Sequence, residues 1–247
     1  MSTPNSISTS EVGHAKNVAN FEELIVNCQS FDTAYNPVND LIKIPQLQSL
    51  YTEAQTAIDQ AHTFRSTLII TTNQRQTEFS DLKPLATKII NALSASGADK
   101  LAVNDAKTIN RKIQGKPSTP KTNENEPGQE TQRAVSTSQQ SYDKQIDHLS
   151  SLVELLSQVP QYAPNETLLQ ITSLRTKLEQ MKAINTQHIN SYTELSKMLI
   201  ERNRILYNPL TGLVAVAKLV KQYVKSVFGA RSPEYQLISD IEFRKVK

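Results

Sequence analysis

The stretch YNPVNDLIKIPQL, Tyr35 to Leu47, returns as YAPNETLLQITSL, Tyr162 to Leu174, at a constant offset of 127 residues. Five positions coincide: Tyr35/Tyr162, Pro37/Pro164, Leu41/Leu168, Ile44/Ile171 and Leu47/Leu174. The surroundings recur in the same order. A helix near Phe21 to Ala34 has its counterpart near Ser141 to Gln158. Both end in a Tyr-x-Pro step, because the residue before proline is driven out of the α region. Proline then suits the first turn of the following helix, where its missing N–H is not needed. Pro45 lies deeper, so the first copy is expected to kink there or to begin its helix later.

The helix that follows is the long one in each copy. In the second, apolar spacing of three and four runs through Leu174, Leu178 and Met181, then Tyr192, Leu195, Leu199 and Leu206. The equivalent positions of the first are Leu47, Tyr51, Ala54, Arg65, Leu68, Thr72 and Phe79. This heptad-like spacing marks helices that pack lengthwise. Asn185, His188 and Arg202 interrupt one seam, Arg65 and Arg75 the other, and Arg75 and Arg202 share a repeat position. Their guanidinium groups are expected to reach solvent or a local carboxylate, the alternative being a polar contact that fixes register between helices.

A third helix follows, near Leu82 to Ser94 and near Leu210 to Phe228, the second after another Tyr-x-Pro step at Tyr207. Both stop at Gly-Ala, Gly97 and Gly229, where glycine serves as the residue just past a helix end. TINRK (Thr108 to Lys112) and IEFRK (Ile241 to Lys245) then close the copies at an offset of 133, so the second copy carries a few extra residues. The expected fold is all-α: two pseudo-repeats of long antiparallel helices in a coiled-coil-like bundle, with a short extended C-terminal tail. The expected divisions are a flexible tail at 1–18, a first repeat at 19–114, a polar linker at 115–140 and a second repeat at 141–247.

Composition agrees. Only 6 of 247 residues are glycine, and none occurs between Gly13 and Gly97 or between Gly128 and Gly212. Long glycine-free runs favour long helices over many turns and strands. The single Cys28 excludes an internal disulfide and supplies no zinc-ligand spacing, which makes the cytoplasm the default compartment. No apolar run approaches the length of a membrane span, and the N-terminus has no signal-peptide pattern.

Little in the chain carries chemistry. No two glycines stand close enough to cradle a phosphate. His14, His62, His148 and His188 match no metal-ligand spacing, and His62 and His188 read as satisfied core or interface histidines. Asp143/Asp147 and Glu22/Glu23 read as solvated helix faces. No catalytic residue, metal or cofactor is expected, and an enzyme is not the reading.

Charge is uneven. Net charge is +3, but residues 201–247 hold nine Lys/Arg against four Asp/Glu, which leaves −2 for the rest. Lys218, Lys221, Lys225, Arg231, Arg244 and Lys245 are the candidates for an anionic partner, a membrane surface or a nucleic acid. Leu213, Val216, Val220, Val224 and Val227 form the apolar side of the same basic helix. In the tail, Tyr235, Leu237, Ile241 and Phe243 have period-two spacing, so they are expected to run extended and to dock on the bundle or on a neighbouring copy.

The block LYNPLTGLVAVAKLVKQYVKSVFGARSPEYQLISDIEFRK, Leu206 to Lys245, with DAKTINRKIQGK, Asp105 to Lys116, resembles a family of uncharacterised all-helical proteins from Bacteroidota. The similarity extends over most of 20–247. It implies a bacterial origin and a shared helical fold, and brings no activity, substrate or site residue. The expected function is a non-enzymatic helical scaffold or self-assembling protein whose partner is itself. The alternative is a module for anionic surfaces.

Overall fold

The structure is a computed structural model that describes residues 9–116 and 140–245. Of the expected linker, only Gly115, Lys116 and Gln140 fall among the described residues; of the expected N-terminal tail, residues 1–8 fall outside them. The described chain is all-α, with helices α1 (Thr9–Ser30), α2 (Ile44–Ser80), α3 (Leu82–Ala95), α4 (Lys100–Ile113), α5 (Tyr142–Ser157), α6 (Ile171–Tyr207), α7 (Leu213–Phe228) and α8 (Pro233–Ser239), and no strand.

The two long helices α2 and α6 each have 37 residues, and both their ends differ by the same 127 positions. A helix of that length extends about 55 Å, more than one small core accommodates. Each accordingly supplies residues to two compact units, one formed by 1–68 with 191–247 and the other by 69–190. The sequence copies and the compact units therefore partition the chain differently.

In the first unit the core joins Phe21, Leu24 and Ile25 of α1 to Leu47 and Ala54 of early α2, Leu206 of late α6, Val216 and Val220 of α7, and Ile238 of α8. In the second it joins Leu149 and Leu152 of α5 to Leu174 and Met181 of early α6, Phe79 of late α2, Ile89 and Leu93 of α3, and Ile113 of α4. Burial of these apolar stripes, rather than helix propensity, is what holds such helices.

The repeated stretch forms the same device in both units. Tyr35 Oη donates to the Ile42 carbonyl at 2.6 Å, and Tyr162 Oη to the Leu169 carbonyl at 2.8 Å, 127 residues on. Each carbonyl closes a 3-10 turn, Asp40–Ile42 or Thr167–Leu169, that leads into the long helix. Burial pushes the Tyr162 phenol up to about 12 and the Tyr35 phenol higher still, so both remain donors. The prolines have another place than expected. Pro37 and Pro164 stand in the loop before the 3-10 turn, and Pro45 falls in the first turn of α2, so the helix starts late and does not kink there.

The first helices match in packing at 128, not 127: Phe21, Ile25 and Cys28 correspond to Leu149, Val153 and Leu156, all buried. The extra residue of the first copy is taken up in the 3-10 turn Asp32–Ala34, where Asp32 has a φ of +47°. Aspartate tolerates this left-handed region better than most residues. The four extra residues of the second copy form the turn before α7. There Asn208 Oδ1 accepts from the N–H groups of Leu210 (2.9 Å) and Thr211 (3.1 Å). Gly212 lies so near this turn that a Cβ would come within 2.4 Å of the Asn208 nitrogen.

Several expectations are corrected. The N-terminal segment is helical from Thr9, and His14, Asn17 and Val18 are buried. The tail does not run extended throughout. Ser232 Oγ accepts from the Tyr235 N–H at 3.1 Å and Pro233 opens the helix, so Tyr235 and Leu237 lie in α8, and only 241–245 forms an irregular strap. Tyr192 is 60% exposed, since Ser191 takes the buried position there, and Val227 is exposed near the end of α7. His62 is exposed, not a core histidine. The two glycine stops hold, with φ of +77° at Gly97 and +93° at Gly229.

Candidate functional site

The strap Ile241 to Lys245 lies in a groove of the first unit built by α1 and α7. An irregular segment satisfies few of its own backbone groups, here the Ile241 N–H on the Ile238 carbonyl at 3.3 Å, so neighbouring side chains must serve the rest. Asn17, 2% exposed, holds Arg244 from both sides: its Nδ2 donates to the Arg244 carbonyl at 2.7 Å, and its Oδ1 accepts from the Arg244 N–H at 3.0 Å. One turn on, Asn20 Nδ2 donates to the Glu242 carbonyl at 2.6 Å. From the other side Lys221 Nζ donates to the carbonyls of Ser239 (2.9 Å) and Ile241 (2.6 Å). The contacts reach the backbone, so they read an extended course more than a sequence.

Side chains between these bonds set the register. Ile241 is buried, and Phe243 meets Phe21 edge-on at 6.4 Å between ring centroids, with the Lys221 ammonium 5.8 Å from the Phe243 ring. Of the expected tail residues, Ile241, Phe243 and the half-buried Tyr235 pack on their own unit, whereas Leu237 is 57% exposed.

The basic candidates differ in what they meet. Lys221 is committed to the strap, and burial holds its ammonium below the ordinary lysine range despite Asp240 and Glu242 nearby. Lys225 lies 5.7 Å from the Tyr235 ring. Arg244 pairs with Glu242 at the surface. Arg231 is exposed. Lys218 and Lys245 border a common cavity of about 480 Å³ whose other walls, among them Pro209, Leu210, Val214 and Leu219, are apolar or neutral.

The second unit carries a polar seam. The Arg75 guanidinium donates to Asn185 Oδ1 at 3.2 Å and to His188 Nε2 at 3.1 Å, and its plane carbon lies 4.1 Å from the centre of the Tyr142 ring. Asn185 Nδ2 passes the chain on to Asp143 Oδ1 at 2.8 Å. Arg75 therefore fixes register between helices rather than reaching solvent. A guanidinium only donates, so His188 accepts at Nε2 and carries its proton on Nδ1. Burial, then the charge of Arg75, keeps His188 below its ordinary pKa. Nearby, Lys177 joins Glu78 (3.1 Å) and Asp81 (2.8 Å). Burial alone would lower this lysine, but bonds to Asp81 and Glu78 raise it. A cavity of about 500 Å³ lies beside it, lined in part by Leu85, Leu168 and Leu174.

Among the described residues no group of His, Cys, Asp and Glu is placed to hold a metal ion, and no helix is long and apolar enough to cross a membrane. Cys28 is buried, and burial pushes its thiol up to about 12, which keeps it protonated at neutral pH. Asn17 and Asn20 were hidden from sequence reasoning because Asn17 fell within the expected tail. Their signal was three-residue spacing on the face of Val18, Phe21 and Leu24. No family model, curated protein or solved structure significantly matches the chain.

Proposed function

We propose that this chain is a non-enzymatic helical interaction protein that assembles with itself. The observation that supports it is a repeated exposed leucine. Leu41 is 42% and Leu168 is 73% exposed, at equivalent positions of two 3-10 turns that Tyr35 and Tyr162 hold rigid. Core packing does not require a leucine at an exposed turn, and a single one would be ordinary. Two at the same place in two units offer similar apolar knobs, and head-to-tail contacts through such faces generate rings or filaments. The setting we propose is the bacterial cytoplasm, on the resemblance of Leu206 to Lys245 and the single cysteine.

Light scattering across a concentration series tests this. Mass is expected to rise above the 27.6 kDa of one chain and to return to it in the Leu41→Ser/Leu168→Ser variant, whose changes lie at the surface. A wild-type mass of 27.6 kDa at every concentration ends the proposal.

A second reading rests on Lys218 and Lys245 beside their apolar cavity, an arrangement suited to an anionic partner such as a membrane surface or nucleic acid. Such binding weakens steeply with salt. Vesicle flotation and gel shift at low and high salt read it, and no binding in either removes it.

A further inference from the structure

The geometry points to the groove between α1 and α7 as a receptor for the C-terminal segment of a second copy, which enters by exchange of α8 and the strap about Gly229. This rests on the self-assembly proposed above, in which the faces of Leu41 and Leu168 bring copies together and the exchange then secures them.

Three features of the first unit favour exchange. The segment is one element. Lys221 binds carbonyls of both Ser239, at the end of α8, and Ile241, in the strap, while Ile238 and Ile241 are both buried in the same core. It is joined to α7 through a short turn. Gly229 ends α7 at a φ of +93° with open space where a Cβ would be, and Ala230 and Arg231 are exposed. Such a turn can straighten without disturbing the core.

Beside these apolar contacts, the grip on the segment includes polar bonds directed at backbone. The bonds from Asn17, Asn20 and Lys221 are the same whichever copy supplies the carbonyls. Exchange of an identical element conserves the contacts outside the hinge, which makes it a low-cost route to assembly. The occupant is defined by chemistry as well as by connection. It needs an apolar residue for the pocket of Ile241, an aromatic ring two residues on to meet Phe21, and free backbone between them.

The experiment uses full chains with single cysteines. Asn20→Cys chains are mixed with Glu242→Cys chains, incubated and treated with a short bifunctional thiol reagent. The buried Cys28 leaves the unaltered chain unreacted. The double variant in one chain reports seating of the strap through an internal cross-link. The expected result is heterodimer from the mixture, above the level from Asn20→Cys with Lys218→Cys, formed several-fold faster when Asn17→Ala loosens the strap. Internal cross-linking without heterodimer overturns the proposal, as does absence of the internal cross-link. Heterodimer whose rate ignores Asn17→Ala also overturns it, because the copies then associate with both straps in place. Oligomers by light scattering without heterodimer cross-links remove the exchange and leave self-assembly standing; a mass of one chain removes self-assembly itself.

Discussion

In the second unit, α4 supplies fourteen residues of helix after the Gly97 stop, and its last turn buries Ile113. In the first, the same place in the order is taken by seven-residue α8 and a strap that buries Ile241. A helix satisfies its own N–H and C=O groups, so α4 needs mainly an apolar stripe. The strap keeps one such local bond, from the Ile241 N–H to the Ile238 carbonyl at 3.3 Å, and side chains around it supply others. Lys221 of α7 stands where α3 has the buried Ile90, in the register that pairs Leu82 with Leu213 and Leu93 with Val224. Asn17 and Asn20 stand where α5 has Gln145 and His148. Gln145 donates to the Gln140 carbonyl at 2.8 Å, and His148 Nε2, buried, has no partner among the described residues. One packing scheme thus tolerates an apolar or a polar closure, provided that backbone groups are counted in each.

The largest test of this equivalence is in the long helices. Leu47→Ala and Leu174→Ala each empty a fully buried position in their own unit, and each is expected to destabilise by about 2–5 kcal/mol. Denaturant unfolding of both variants checks it, and a cost near zero at one site alone would break the correspondence at offset 127. A smaller effect is expected at the turns. Tyr35→Phe strips a buried carbonyl of its donor and Tyr162→Phe a part-buried one, each at about 1–2 kcal/mol. Similar losses sharpen the comparison, and a neutral result at either tyrosine shows that its turn holds by packing alone.

The smallest effect is one of pH and belongs to the second unit. Burial first, then Lys112 and Lys144, lower the pKa of His148 against the opposing pull of Asp147. His188 is lowered as well. A histidine depressed in the folded state contributes stability that is complete above its unfolded value near 6.5 and is lost as pH falls below it. Unfolding free energy is therefore expected to fall between pH 7.5 and pH 5.5, and His148→Leu to flatten that slope. An unchanged slope in this variant would assign the dependence to other groups.

Much of this was legible in the amino acids. The offset of 127 relates the two long helices end to end, and the two glycines marked both stops, because each signal is local and backbone-encoded. Partners were not legible. The repeat tells which segments are alike, whereas two cores of the same leucines and isoleucines give no sign that early α2 belongs with late α6. The shift to 128 in the first helices is absorbed by a strained aspartate that looks like any other acid. Tyr192 fitted the heptad and lies outside, and Asn17 sat among Ser, Thr and Asn that read as a tail. A polar residue that is buried to hold another segment's backbone has no signature until that segment is known.

The division of the chain also fixes an order of events during synthesis. The second unit is one continuous run, 69–190, whereas the first needs residues from both ends. His14 meets Tyr207 across 193 positions, and Asn17 meets Arg244 across 227. Contacts so distant in sequence form late, since the intervening chain must be made and its loop closed first. On the ribosome the second unit can assemble while α1, translated before it, still lacks its core. Helix α1, made before the second unit, therefore finds its place after it, and its apolar face of Phe21, Leu24 and Ile25 is what a nascent-chain chaperone would meet in the meantime.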